Sequence, residues 1–154
     1  MKIDYHKYNT FIFDLDKTLW DTVDKYGQSI WAKQMIPPFA PQDTAVTDDV
    51  GSRCVMKPGV REYLNFLFMS GKKIGFLSTG LLWGVTHEEQ PSIKMLKYFS
   101  INDFFNFKRA LLYKTDLKIH SLKDIGDCIF FDDNDEVISR ASTLENVRVI
   151  DSKE

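Results

Sequence analysis

The sequence predicts an α/β fold in which a parallel sheet carries helices on both of its faces. Two observations support this fold class: short apolar runs of strand length recur along the chain, and segments of helical periodicity lie between them. The chain has 154 residues, which is enough for one complete domain and short for two. We therefore expect a single domain over residues 1–154.

Five apolar runs are predicted to form the strands of this sheet. The first run contains Phe11, Ile12 and Phe13, which are strongly β-forming residues and indicate a buried strand. Right-handed crossovers between parallel strands place several strand ends at one edge of the sheet. The predicted strands cover about residues 9–14, 74–77, 109–113, 128–131 and 147–150.

Four segments predict helices, because they show helical spacing of apolar residues or residues typical of helix ends. Pro58 suits the first turn of the first helix, and Gly71 ends it. Pro91 lies near the start of the second helix, and Thr115 or Asp116 is expected to cap the third. The predicted helices cover about residues 58–69, 90–99, 116–125 and 135–143.

Residues 20–57 are predicted to be a long irregular stretch, because they hold three prolines and two glycines. The stretch is long enough to form a flap but too short for a folded cap domain, so an open site that admits bulky substrates is expected. Its apolar side chains would form a small core, a platform for an aromatic or sugar leaving group, or a dimer contact. They are Trp20, Tyr26, Trp31, Met35, Ile36 and Phe39.

The composition is ordinary for a globular protein and excludes some classes of function. Hydrophobic residues make up 44% of the chain and the net charge is −2, so no nucleic-acid partner is expected. Cys54 and Cys128 are far apart in sequence and form no CxxC pair, which favours a reducing compartment. The first eight residues do not resemble a signal peptide, and no apolar run reaches the length of a membrane span. A cytoplasmic location without membrane contact is therefore expected.

Polar side chains follow three of the predicted strands at the point where each strand ends. They are Asp14 and Asp16, Ser78 and Thr79, and Asp132 and Asp133. Ligands bind at this edge in open α/β sheets, and carboxylates that are gathered there usually hold a cation. Any one pair is also explained as a turn or a helix cap. Three such pairs at one edge favour a functional site.

These motifs together resemble the haloacid dehalogenase superfamily of phosphohydrolases, and most closely its magnesium-dependent phosphatase-1 group. They are F-D-L-D-K-T-L-W at 13–20, P-P-F at 37–39, G-F-L-S-T-G at 75–80 and I-F-F-D-D-N at 129–134. The resemblance runs in order over about residues 8–150. It implies a three-layer α/β/α, Rossmann-like sheet without a cap, and a magnesium-dependent acid phosphatase, that is, a phosphoric monoester hydrolase.

The resemblance also implies roles for the site residues. Asp14 would be the nucleophile that forms an aspartyl-phosphate, and Asp16 the acid and base for the leaving oxygen and the water. Mg²⁺ prefers hard oxygen ligands, about six of them. The expected ligands are the side chains of Asp14 and Asp133 and the backbone carbonyl of Asp16, with Asp132 as a further ligand or a nearby acceptor. Thr18 would brace the first loop or simply cap a turn.

The phosphoryl oxygens are expected to accept hydrogen bonds from Ser78 and from backbone N–H groups near the first two motifs. The full set of expected substrate-binding residues is Leu15, Thr18, Trp20, Ser78, Thr79 and Gly80. The flanking residues Trp83 and His87 are further candidates for the pocket wall, and Lys17 would either favour an anionic substrate or face solvent.

The lysine that the family places near the phosphoryl group has two candidates here. Lys118 is followed by the expected apolar pattern but lies only 14 residues before Asp132, whereas Lys114 fits a K-x-D pattern and lies 18 residues before it. Lys118 is slightly favoured. His120 on the same helix is more often structural than a ligand or a substrate contact.

The resemblance leaves the substrate open between phosphotyrosine or phosphoproteins and sugar phosphates such as fructosamine phosphates. Alternatives are a phosphatase of other small metabolites, a phosphotransferase on the same scaffold, and a magnesium-binding module without catalysis. The intact set of acids and Ser78 favours an enzyme. A monomer or a weak homodimer is expected.

Overall fold

The computed structural model describes residues 3–153 and shows a mixed α/β protein. Its two sheets are a five-stranded parallel sheet flanked by helices and a five-stranded antiparallel sheet. Residues 1, 2 and 154 lie outside the described residues, and so do the parts of the domain and signal-peptide predictions that fall on them. Over residues 3–153, no helix has both the length and the hydropathy that a transmembrane helix needs.

The strands in chain order are β1 (Thr10–Phe13), β2 (Trp20–Val23), β3 (Ser29–Ile30), β4 (Ala40–Gln42), β5 (Ala45–Thr47), β6 (Arg53–Met56), β7 (Lys73–Ser78), β8 (Arg109–Leu111), β9 (Cys128–Asp132) and β10 (Val147–Asp151). The α-helices are α1 (Val60–Met69), α2 (Pro91–Tyr98), α3 (Thr115–Ile125) and α4 (Asp135–Ala141). Short 3-10 turns cover Ala32–Gln34, His87–Glu89 and Asn102–Phe104. The parallel sheet has the strand order β10-β9-β1-β7-β8, and the antiparallel sheet has the order β3-β2-β6-β5-β4.

The five strands and four helices predicted around the parallel sheet are confirmed, but the starts of α1, α2 and α3 differ from the prediction by one or two residues. Helix α1 begins at Val60 rather than at Pro58, because Gly59 takes a left-handed conformation (φ 83°) and occupies the N-cap position. Helix α3 begins at Thr115, with Lys114 at the N-cap and no capping hydrogen bond from that side chain. The predicted cap at Thr115 or Asp116 is therefore wrong.

The prediction of an irregular stretch over residues 20–57 is also wrong, because this segment, the flap, forms the antiparallel sheet. Its strands are two to four residues long, too short to show the alternation that marks a strand in a sequence. Pro41 lies in the edge strand β4, where a residue without an N–H is tolerated. Gly27 supplies a left-handed residue (φ 82°) in the turn between β2 and β3.

The apolar side chains of the flap do not all form a small core. Of the six predicted, Trp20 and Met35 are buried, Phe39 packs against the core, and Tyr26, Trp31 and Ile36 are exposed. The buried members belong to the larger of two hydrophobic clusters, which also holds apolar residues of α1 and α2. The flap is therefore fixed to the main body of the protein and still presents aromatic surface to solvent.

Strand β1 contributes to both hydrophobic clusters. Phe11 and Phe13 belong to the cluster with α1 and α2, whereas Ile12 belongs to a second cluster that contains residues of α3 and α4. Successive side chains of a strand point to opposite faces of its sheet, so the two clusters lie on opposite sides of β1. Burial on both sides explains why this strand is apolar without interruption.

The register of β1 brings the predicted site residues to one edge of the sheet. Phe13 is level with Phe76 of β7 on one side and with Phe131 of β9 on the other. Asp14 extends this pairing, because its N–H donates a hydrogen bond to the Phe131 carbonyl at 2.8 Å. The acidic and hydroxyl side chains that follow these three strands therefore meet at their carboxyl ends.

Asp48 anchors the turn between β5 and β6. Its carboxylate accepts hydrogen bonds from the backbone N–H groups of Val50 at 3.1 Å, Ser52 at 2.7 Å and Ile36 at 2.8 Å. Burial alone would raise the pKa of Asp48, but these three N–H groups lower it below its usual value. The bond to Ile36 also ties this turn to the segment before β4.

We expect Asp48→Ala to lower the free energy of unfolding by about 2 kcal/mol at neutral pH, because the N–H groups lose a charged acceptor. The folded-state pKa lies below the unfolded-state value of about 3.9, so the contribution is fully present above that value. It is lost as the pH falls through the folded-state pKa. Urea unfolding at neutral and acidic pH measures both effects, with the exposed Asp21→Ala as control. A difference from wild type that does not shrink in acid would contradict this role of Asp48.

Candidate active site

A cavity of about 320 Å³ lies where β1, β7 and β9 end, between the parallel sheet and the flap. Eight of the predicted site residues line it: Asp14, Asp16, Ser78, Thr79, Gly80, Lys118, Asp132 and Asp133. Four others, Leu15, Thr18, Trp20 and Lys114, do not. The lining also includes Lys17 and Trp31, which the sequence analysis names as candidates for substrate contact. The other lining residues, which it does not assign to the site, are Lys33, Thr115, Asn134 and Val137.

Lys118 joins the two acid-bearing strands at the base of this cavity. Its Nζ donates to Asp14 Oδ1 at 3.2 Å and to Asp132 Oδ2 at 3.0 Å. Lys118 is 2% exposed and Asp132 is 0% exposed, so water screens these contacts poorly. A buried lysine is stable only with such partners. Helix α3 carries Lys118 and places it beside the ends of β1 and β9.

Burial and mutual contact shift the pKa values of this group. Burial raises the pKa of Asp14 well above its usual range, Lys118 opposes the shift, and Asp132 and Asp133 add to it. Burial alone would lower the pKa of Lys118, but the charges of Asp14 and Asp132 outweigh this and raise it. Lys118 therefore stays protonated and compensates part of the negative charge that the acids concentrate here.

The acid triad, Asp14, Asp132 and Asp133, has a donor set that suits a hard divalent cation such as Mg²⁺. Each acid offers one carboxylate oxygen, and these oxygens lie within 4.8 Å of one another. Around an octahedral Mg²⁺, neighbouring oxygens are about 3.0 Å apart and opposite oxygens about 4.2 Å apart, so three oxygens grouped this closely can share one ion. Asp133 also lies within hydrogen-bonding reach of Asp14, and carboxylates in contact need a shared proton or a cation between them.

The two acids that follow β9 differ in what they contact. Both oxygens of Asp132 have protein partners, because Oδ2 accepts from Lys118 and Oδ1 accepts from the Asn134 N–H at 2.9 Å. Asp133 is half-buried at the cavity, and its backbone carbonyl accepts from Lys153 Nζ at 2.5 Å. This arrangement favours Asp133 as a direct cation ligand and Asp132 as the residue that positions Lys118.

Asp16 is held apart from the acid triad by the flap. Its Oδ1 accepts hydrogen bonds from the Trp20 Nε1–H and from the Ala32 N–H, both at 3.0 Å. Burial raises the pKa of Asp16 above its usual value, and the two donors reduce the shift without cancelling it. A carboxyl group with a raised pKa at a cavity wall is suited to donate a proton. The use of the Asp16 carbonyl as a metal ligand stays a prediction.

The assignment of Trp20 to substrate binding is wrong, because its side chain is fully buried. Its ring packs against Phe99 at a centroid distance of 5.9 Å and leaves no surface for a ligand. The indole N–H instead fixes the orientation of Asp16. Trp20 is therefore a positioning residue. Its place in the sequence, four residues after Asp16, did not indicate that its indole would turn back to that carboxylate.

Ser78 and Gly80 line the cavity at the carboxyl end of β7. Ser78 Oγ accepts a hydrogen bond from the Gly80 N–H at 3.1 Å, which leaves its hydroxyl hydrogen to donate to a ligand. A Cβ on Gly80 would stand 2.8 Å from Ser92 Oγ and 3.2 Å from Ser78 Oγ, so a side chain has no room there. Thr79 lies between them and also lines the cavity.

Thr18 and Leu15 contribute to the site through structure rather than through contact with the cavity. The Leu15 side chain is fully buried, so only its backbone is available for the predicted role. Thr18 Oγ1 shares a hydrogen bond with Ser152 Oγ at 3.0 Å, and the Ser152 N–H donates to the Asp132 carbonyl at 2.9 Å. The bracing role predicted for Thr18 fits these bonds, and the end of β10 ties both acid-bearing loops together.

The remaining candidates from the sequence analysis lie away from the cavity. Lys114 is exposed, with its Nζ 5.9 Å from the centre of the Tyr113 ring. His120 is exposed and lies 3.7 Å from Asp124, one turn along α3. Trp83 is 72% exposed, and neither it nor His87 belongs to the cavity lining. The geometry therefore favours Lys118 over Lys114 as the lysine of the site.

Comparison with known proteins adds no relative to this description. No protein-family model matches the chain, and no curated protein matches it. The chemistry of the cavity must therefore be inferred from the positions of its own side chains.

Proposed function

We propose that the protein is a magnesium-dependent phosphomonoester hydrolase of the haloacid dehalogenase type, with Asp14 as its nucleophile. The observation that carries the proposal is the buried contact of Lys118 with Asp14 and Asp132, at the wall of a cavity that Ser78 and Asp133 also line. A purely structural ion pair has no need for further acids, a hydroxyl donor and an opening to solvent.

Mg²⁺ bound by Asp14 and Asp133 would neutralise charge on the phosphoryl group and on the acids around it. Lys118 supplies a second positive charge next to Asp14 Oδ1, and its hydrogen bond orients this carboxylate for attack on phosphorus. Ser78 donates its hydroxyl hydrogen to a phosphoryl oxygen from the carboxyl end of β7.

The reaction that this arrangement supports has two steps. In the first, an Asp14 carboxylate oxygen forms a bond to phosphorus, the bond from phosphorus to the leaving oxygen breaks, and Asp16 gives that oxygen its proton. In the second, the Asp16 carboxylate takes a proton from water, and the resulting hydroxide attacks phosphorus. The bond to Asp14 then breaks, which releases phosphate and restores both acids.

The raised pKa of Asp16 supports its role as acid and base, because a proton donor must hold its proton until the leaving oxygen needs it. The clamp by Trp20 and Ala32 occupies one carboxyl oxygen, Oδ1, and leaves Oδ2 for proton transfer. Oδ2 lies 3.6 Å from the position that a Cβ on Gly80 would take, at the cavity wall.

We further propose that the fold is the three-layer, Rossmann-like arrangement without a cap domain, and that the protein is a single-domain cytoplasmic enzyme that acts as a monomer or a weak homodimer. The strand order β10-β9-β1-β7-β8 and the hydrophobic clusters on opposite sides of β1 support the layering. The small antiparallel sheet of the flap stands where a cap would be inserted and leaves the cavity open.

The test is hydrolysis of para-nitrophenyl phosphate by the purified protein. We expect activity with Mg²⁺, a loss of about 100-fold or more with a chelator, and recovery when Mg²⁺ is added back. Ca²⁺ should not restore it, because its longer bonds and larger number of ligands would hold the phosphoryl group differently relative to Asp14. Activity that is unaffected by the chelator would contradict the mechanism, and Mg²⁺ binding without hydrolysis of any phosphate ester would assign a non-catalytic module.

A further inference from the structure

Three residues of the first loop and the flap line the cavity and lie outside the acid triad. They are Lys17, Trp31 and Lys33, and we call Lys17 and Lys33 the rim lysines. Neither takes part in the proposed phosphoryl transfer. Trp31 is 51% exposed although it borders a site, and the rim lysines are only half-buried.

Lys17 is held in place by contacts on both its backbone and its side chain. Its φ of 65° is unusual for a residue with a side chain, and its N–H donates to the Trp20 carbonyl at 2.7 Å. Its carbonyl accepts from Lys57 Nζ, and its own Nζ donates to Ser29 Oγ at 2.5 Å. The neutral hydroxyl of Ser29 orients the ammonium group without neutralising it.

Lys33 is held by an aromatic ring rather than by an acid. Its Nζ lies 5.4 Å from the centre of the Trp31 ring, in a cation–π contact. The residue between them, Ala32, donates its N–H to Asp16, so the chain is fixed at this point. The charge of Lys33 is also close enough to the site to lower the pKa of Asp16.

The rim lysines carry positive charge that the proposed chemistry does not use. Over residues 3–153 neither forms an ion pair, whereas Lys118 is fully engaged with Asp14 and Asp132. In the proposed reaction the phosphoryl group is met by Lys118, Ser78 and the cation. Two oriented ammonium groups on residues that line a cavity, neither in an ion pair within residues 3–153, are suited to a further anion.

We propose, on the basis of the proposed function, that the rim lysines bind a second anionic group on the alcohol part of the substrate. The substrate class is then a phosphomonoester whose leaving group carries a carboxylate or a second phosphate. Trp31 positions Lys33 for this contact and does not serve mainly as a stacking platform, because the ammonium group of Lys33 already lies over its ring.

The test compares phenyl phosphate with 4-carboxyphenyl phosphate, which differ only in the second anionic group. We expect wild-type kcat/KM to be about 10-fold higher for the carboxylated ester. Lys17→Gln and Lys33→Gln should each lower the ratio of the two kcat/KM values by about 5-fold, the size expected for a partly exposed ion pair. The two esters also differ in the reactivity of their leaving groups, but this difference is the same in every variant. A change in Asp16 affects both esters alike. Both effects therefore cancel when the ratio of the two kcat/KM values is compared between variants.

Lys25→Gln is the matched control, because Lys25 is also a flap lysine with its Nζ over an aromatic ring, 5.1 Å from the centre of Tyr26, but it does not line the cavity. Its ratio should equal that of wild type. Hydrolysis of both esters with a ratio that neither rim variant changes overturns the inference and leaves the proposed function standing. Hydrolysis of neither ester by the wild-type protein overturns both.

Discussion

Asp14→Asn is expected to lower kcat/KM for para-nitrophenyl phosphate by about 10⁴-fold or more, because an amide cannot form the covalent intermediate. The fold should survive the change. The Asn side chain keeps an oxygen that can accept from Lys118, as Asp14 Oδ1 does at 3.2 Å, and it removes a charge whose burial is unfavourable. Steady-state kinetics and urea unfolding of the same preparation measure the two effects together.

Asp124→Asn is the matched control for this variant. Asp124 is an exposed acid on α3 that pairs loosely with His120, so its activity and stability should stay close to those of wild type. A variant at Asp14 that kept a tenth of the wild-type activity would place the nucleophile on another residue. Full loss of activity together with loss of the folded state would show that Asp14 acts through structure instead.

Lys118→Met is expected to lower the free energy of unfolding by about 3–5 kcal/mol, because it leaves Asp14 and Asp132 buried without their cation. It should also lower kcat/KM by about 10²–10³-fold, since one of the charges facing the phosphoryl group is lost. Combining it with Asp132→Asn removes one of the unpaired charges. The double variant should recover much of the stability and none of the activity, which separates the two roles of Lys118.

Lys114→Met is the informative comparison, because the sequence alone left both lysines as candidates. The Lys114 side chain is exposed, and its one contact among the described residues is with the Tyr113 ring, so we expect changes within about 0.5 kcal/mol in stability and about two-fold in activity. A larger loss of activity at Lys114 than at Lys118 would reverse the assignment that the geometry favours.

The parallel sheet, and the acids at the carboxyl ends of β1 and β9, could be predicted from the sequence for a physical reason. Strands buried on both sides, such as β1, must be apolar throughout, and the polar residues that follow them then stand out. The pairs at Asp14 and Asp132 are visible in this way from the order of residues alone. The choice of Lys118 was only slightly favoured, because sequence spacing does not fix which side of a helix faces the strand ends.

The flap could not be predicted in the same way. Its strands are too short for a periodic pattern, and Pro41 and Gly27 looked like breaks when they mark an edge strand and a turn. The contacts that the flap makes with the site were therefore hidden as well. The clamp on Asp16 uses the backbone N–H of Ala32, which has no signature in a sequence. No local motif around Lys33 indicated that it would line a cavity together with residues that follow β7 and β9.

Ala32, whose N–H holds Asp16, sits between Trp31 and Lys33, which border the opening of the cavity. Three consecutive positions thus connect the choice of substrate with the strength of an acid. Substitutions at Trp31 or Lys33 that reshape this opening are also expected to shift the pH optimum, because they move the Ala32 N–H that holds Asp16. In laboratory evolution toward new leaving groups, we therefore expect substitutions at residues 31–33 both to improve activity on the new substrate and to alter proton transfer by Asp16.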